Sequence, residues 1–145
     1  MKDFELRKIK SFEPLSEETE AFTAQLWVDG KHVADLKNDG QGGCNNFSPI
    51  KPFTWKDIEP YQATDVECKI FAMIIEFDET RKRQSKGFYL RKGEMVGFTD
   101  ERKYYSQKFP MPISKLRKHP DYKNWLSGKL ADFKAQGYTV LNTNL

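Results

Sequence analysis

The sequence predicts an α+β fold, a single compact domain over 1–145 in which a mainly antiparallel, hairpin-built sheet packs against two helices at about 65–84 and 120–136. Three observations lead there. Period-two runs flank turn-forming pairs in the first and middle parts of the chain, which is the mark of hairpins. Two longer stretches carry apolar residues at helical spacing with start and stop signals at their ends. Finally, 145 residues with 14% aromatics and no repeat or low-complexity linker suffice for one core without disulfide or metal support.

The elements follow in order. Phe4, Leu6, Ile9 and Phe12 mark an imperfectly alternating first strand, which Pro14 ends by removing a donor. Phe22, Ala24, Leu26 and Val28 alternate with Thr23, Gln25 and Trp27, so one face of that strand should be buried. Asp29-Gly30 then suits a type I′ turn, in which both central residues need positive φ, and Lys31–Leu36 resumes the extended pattern. Asn38 to Asn46, with Gly40, Gly42 and Gly43, specifies tight turns. Pro49, Pro52 and Pro60 keep the next stretch irregular, with Phe47, Phe53, Trp55 and Tyr61 as its anchors to the core.

From Thr64 the period changes. Thr64-Asp65-Val66-Glu67 reads as a capping box, Val66, Ile70, Ile74 and Phe77 follow helical spacing, and Arg81-Lys82-Arg83 sits where a helix dipole favours cations. The rival reading is a buried strand from Lys69 to Phe77, since β-branched and aromatic residues are dense there; the terminal signals agree on a helix. Gly87–Leu90, the turn Arg91–Glu94 and Met95–Phe98 read as a second hairpin. Ile113–Lys118 is expected to form a helical turn or two, ended at His119-Pro120. Tyr122, Trp125, Leu126, Leu130 and Phe133 form the stripe of the last helix, Gly137 its C′ residue, and Tyr138–Leu141 a closing strand.

Charge is distributed unevenly. Residues 1–68 hold 8 Lys/Arg and 13 Asp/Glu, a balance of −5, whereas residues 69–145 hold 16 and 8, a balance of +8. Within 81–118 there are 12 basic groups against 3 acidic ones. Such asymmetry points to an acidic partner, or to attraction between the halves themselves. The basic stretch is interleaved with aromatics. Arg81, Lys82, Arg83, Lys86, Arg91, Lys92, Arg102 and Lys103 are candidate anion-binding residues, and Lys108 extends the run. Tyr89, Tyr104 and Tyr105 are candidates for stacking on bases. No helix-turn-helix spacing, zinc-finger ligand set or ribonucleoprotein aromatic motif accompanies them, so the signal is electrostatic; a protein with an acidic surface would be served equally well.

Other chemistry is less well supported. Asn38, Gly40, Gly42 and Gly43 could line an anion nest or ligand clamp, but their spacing matches neither the phosphate loop nor the dinucleotide fingerprint, and their neighbours within the loop are Asp39 and polar amides. A structural turn accounts for them as well. Cys44 could be a nucleophile only with a base and an orienting group beside it, and no cysteine-enzyme signature surrounds it. Cys44, Cys68, His32 and His119 lack metal-ligand spacing, so neither metal nor cofactor is expected. Glu17, Glu18 and Glu20 read as a solvated cluster. The absence of a long apolar run and of a signal-peptide centre, with two separated cysteines, leads to an expectation of a cytoplasmic protein without membrane association.

The run Phe22–Ala34, followed by Asn38-Asp39-Gly40-Gln41-Gly42-Gly43, resembles small uncharacterised proteins of bacteriophages and bacterial mobile elements that pair such a hairpin with this turn. The resemblance covers about residues 20–46, and its motif is structural, so it brings no active site. It implies an accessory protein acting by binding, through capture of a nucleotide or inhibition of a host factor. The leading expectation is therefore a non-catalytic protein binding nucleic acid or a nucleotide through its basic second half. An inhibitor of a host protein and a small enzyme using Cys44 are the alternatives.

Overall fold

The computed structural model describes residues 2–12 and 21–145. Pro14, Glu17, Glu18 and Glu20 lie outside the described residues. Antiparallel sheets and helices make an α+β arrangement, and the chain falls into two compact units, 1–77 and 78–145.

The first unit is built on a four-stranded antiparallel sheet in the order β1 (Phe4–Ser11), β2 (Phe22–Val28), β3 (Lys31–Asn38), β4 (Asn46–Pro49). Its centre is the hairpin read from the sequence. Asp29 and Gly30 have φ of 52° and 72°, the pair of left-handed residues that a type I′ turn requires. The alternation in β2 buries Phe22, Ala24 and Leu26 completely or nearly so, and β3 and β4 add Val33, Ala34, Leu36 and Phe47. After the short helix α1 (Trp55–Ile58) and a 3-10 turn (Glu59–Gln62), α2 (Thr64–Arg83) lays Val66, Ile70 and Ile74 into this core. The alternative of a buried strand at 69–77 is thereby excluded. A continuous apolar run can serve either element, and here the 3.6-residue spacing decided.

Thr64 is itself helical and does not form the capping box expected at Thr64–Glu67, because the Glu67 carboxylate accepts the Asn45 N–H at 3.1 Å instead. The box occurs one helix earlier, where Asp57 accepts the Thr54 N–H at 2.7 Å and the Thr54 hydroxyl at 3.1 Å.

The second unit centres on a three-stranded antiparallel sheet in the order β8 (Lys103–Lys108), β5 (Gly87–Lys92), β9 (Thr139–Val140). The hairpin expected between Gly87–Leu90 and Met95–Phe98 is replaced by a longer one. β5 pairs with β8, from Gly87 opposite Lys108 to Lys92 opposite Lys103, and β6 (Met95–Val96) with β7 (Thr99–Asp100) forms only its tip. The reason is pairing partners. Val96 and Phe98 are apolar but stay 64% and 68% exposed at the tip, whereas six residues of β8 satisfy the full length of β5.

Phe88 and Leu90 on one face of β5 pack with Phe133 of α4 (Tyr122–Ala135), surrounded by Phe109, Trp125, Leu126, Tyr138 and Val140; α3 (Ile113–Leu116) precedes α4 in the chain. α4 ends in a Schellman motif: the Tyr138 N–H donates to Phe133 O at 2.9 Å and the Gly137 N–H to Lys134 O at 3.1 Å. Gly137 has φ of 85°, and the Tyr138 and Phe133 rings touch edge-on at 6.2 Å, the apolar contact such motifs favour. No helix among the described residues is long and apolar enough to cross a membrane.

A candidate anion-binding cleft in the second unit

Two stretches of chain meet at one end of the β5–β8 pair. Lys82 and Arg83 end α2, where cations offset the negative pole of the helix, and the chain reaches Gly87 within four residues. Because Gly87 stands opposite Lys108, the helix end and the last residues of β8 are gathered around the same point. Gly87 lets β8 approach closely, since a Cβ there would collide with Gln107 O, and a cleft of about 220 Å³ opens beside this end of the strands, lined by Lys82, Arg83, Lys86, Gly87, Phe88, Ser106, Gln107 and Lys108. Among the described residues neither Lys86 nor Lys108 has an ion-pair partner, and both are exposed. Arg83 is held at 2.9 Å by Glu79, which pushes the guanidinium pKa up from its ordinary value. Flexible ammonium groups at a cleft that Ser106 and Gln107 also line suit a phosphate with its attached sugar, and the volume is below that of a drug-sized pocket.

The other cations named from the sequence are not assembled with these. Arg81 is 3.4 Å from Asp78, and Arg91, only 19% exposed in its side chain, is 3.8 Å from Glu94. Arg102 grips Asp100 through Nε at 2.8 Å and through Nη2 at 2.9 Å, and its side chain is 11% exposed. Lys92 lies 4.3 Å from the centre of the Tyr138 ring, on the sheet face that carries α4. Lys103 is exposed at the far end of β8 from Lys108. Convergence therefore holds for Lys82, Arg83, Lys86 and Lys108, and the arginines farther along the chain are engaged by neighbouring carboxylates.

The tyrosines divide too. Tyr89 is buried and stacks on Tyr104 at 5.3 Å with planes 10° apart, while Arg83 and Arg102 lie over the outer sides of this pair at 5.8 and 5.7 Å. This four-membered stack uses the ring faces that bases would need, so Tyr89 and Tyr104 act in the fold. Tyr105 remains 42% exposed, with one edge against Tyr138.

The Arg102 grip has a measurable signature. The guanidinium and the Arg102 N–H together hold the Asp100 carboxyl down to about 2 from 3.8. A depressed carboxylate pKa stabilises the fold above the ordinary carboxylate range, and the contribution is lost as the pH falls through about 2. A carbon-detected NMR titration should give Asp100 that midpoint, and Arg102→Ala should return it towards 3.8.

In the first unit, the glycine loop is organised from within. The Asn38 amide donates to Gly43 O and Asn45 Oδ1, both at 3.1 Å, and its oxygen accepts the Gly40 N–H at 2.9 Å. The Gln41 N–H goes to Asp39 at 3.2 Å. Two amides a nest would offer to an anion are thus committed, with Gly40 and Gly42 supplying positive φ for the turn. Cys44 is exposed, but six residues of extended chain, about 20 Å, separate His32 from Asn38 where the loop begins. His32 is stacked on Trp27 and bonded to Asp35 at 2.7 Å, and His119 belongs to the second unit. Among the described residues no group of three or more His, Cys, Asp or Glu could hold a metal ion.

Sequence reasoning did not single out Ser106 and Gln107. Lysines at both ends of Tyr104-Tyr105-Ser106-Gln107 are the signal that could have found them, since such lysines protect edge strands. No protein-family model matches the chain, and no curated protein or solved structure is significantly similar to it.

Proposed function

We propose that this protein is a non-catalytic accessory protein that binds an anionic partner, a nucleic acid or a nucleotide, through the cleft between the end of α2 and the end of β8. The supporting observation is that Lys86 and Lys108, neither with an ion-pair partner among the described residues, line one cleft together with Lys82, Ser106 and Gln107. Lysines neutralise phosphate oxygens, and Ser106 and Gln107 add directional bonds to phosphate or sugar. Tyr105 is the ring available for a base beyond the cleft. Two free cysteines suit action in a reducing cytoplasm.

Fluorescence anisotropy with labelled oligonucleotides tests this reading. With three lysines engaged, affinity should fall about 20-fold for a single strand and about 40-fold for a duplex between about 50 and 200 mM salt. Lys86→Glu with Lys108→Glu should weaken binding to both and lower the salt slope by about two. Absence of binding at low salt, or equal binding by the double variant, overturns it.

A further inference from the structure

The two long sides of the second unit's sheet are finished differently. On the β9 side the ladder is extended by a side chain: Asn142 accepts the Tyr89 N–H at 2.8 Å and donates to Gly87 O at 3.0 Å, while the Leu141 N–H bonds Tyr89 O. On the β8 side no strand pairs with β8 beyond β5 among the described residues. The bond from the Phe109 N–H to Lys86 O fixes the alternation of the β5–β8 ladder. Gln107 and Tyr105 turn their peptide groups to β5, so Ser106 and Lys108 turn theirs outward. Both residues are exposed, and no proline or bulge interrupts β8.

We infer that the outer edge of β8 receives an extended acidic peptide segment of a protein partner as an added antiparallel strand. The charges select the occupant. A second copy of β8 would bring two more lysines and no carboxylate against this edge, leaving Lys103 and Lys108 without a countercharge. The same two lysines favour a strand with carboxylates at two positions five residues apart. Tyr105 lies between them, and aromatic rings pair well with β-branched side chains across strands. Backbone bonds to Ser106 and Lys108 supply the attachment, and the lysines set register and direction. This surface is the backbone edge of β8 and shares Ser106 and Lys108 with the cleft.

The probe is the blocked hexapeptide Glu-Val-Thr-Val-Thr-Glu, titrated into the full chain with amide hydrogen exchange read by NMR. Exchange at Ser106 and Lys108 should slow at least about tenfold at saturation, with no comparable change in β9. Ser106→Pro removes one outward N–H and leaves the β5 ladder intact, as edge strands tolerate, so it should abolish peptide binding. Lys103→Glu with Lys108→Glu should reverse the preference towards Lys-Val-Thr-Val-Thr-Lys, which decides the matter even if the proline variant misfolds. Equal binding by Ser106→Pro, unchanged amides, or a self-associated dimer that the proline variant dissolves would each overturn the inference. Protection of these amides by a single-stranded oligonucleotide and not by the peptide would do the same.

Discussion

Phe88→Ala lowers the stability of the second unit by about 3–5 kcal/mol, the range for deleting a buried aromatic ring with partial collapse of the cavity. Phe88 is 1% exposed, and three rings surround it: Phe109 at 5.0 Å, Trp125 at 5.6 Å and Phe133 at 5.1 Å. Two of these contacts are edge-to-face, which adds to the area term, and a small core has few other large side chains to share the loss. Denaturant unfolding followed by hydrogen exchange at Leu90 and Phe133 gives the size of the effect. A loss below about 1 kcal/mol would mean that Phe88 is not the centre of this core.

The reliance of the second unit on one ring follows from how its sheet is made. β9 contributes two residues, and β8 is exposed at most positions, so β5 alone carries consecutive buried residues, Gly87 to Leu90. The first unit spreads its burial over β2, β3, β4 and α2, and no single side chain there holds the same rank.

That contrast also explains what the sequence made legible. Strong periodicity was sufficient where one face is buried, as in Phe22–Val28, in α2 and in the stripe of α4. Asp29-Gly30 and Gly137 were readable because only residues tolerant of positive φ fit those turns. β8 was not readable as a strand. Four of its six residues are polar, and its place depends on the backbone needs of β5, a long-range demand that leaves no local pattern. Val96 and Phe98 misled for the opposite reason, since apolar residues at a loop tip imitate a strand. For the site, the basic stretch was visible, but the division among its members was not. Whether an arginine lies beside Asp100 or Glu94 depends on how the hairpin tip folds, and local charge counts cannot show it. The cleft itself arises from register, which sets Gly87 opposite Lys108.

Gly87→Ala should damage fold and cleft together. A Cβ at residue 87 would lie 2.2 Å from Gln107 O, 2.8 Å from Gln107 C and 2.9 Å from Lys108 Cα, all of them backbone atoms that cannot rotate away. The strands must therefore separate at this end, at a cost of about 3 kcal/mol, the upper part of the overpacking range. The same movement draws Ser106, Gln107 and Lys108 away from Lys82 and Lys86. Anisotropy should then show weakened oligonucleotide binding with a shallower salt slope, because fewer cations reach the same phosphates. Phe133→Ala offers the control, since it removes packing from the same core, lies outside the cleft lining and places no atom between the strands. If Gly87→Ala lost stability but bound as tightly as the parent, the lysines would not need the close strand approach that glycine permits, and the anion would be held on the open surface.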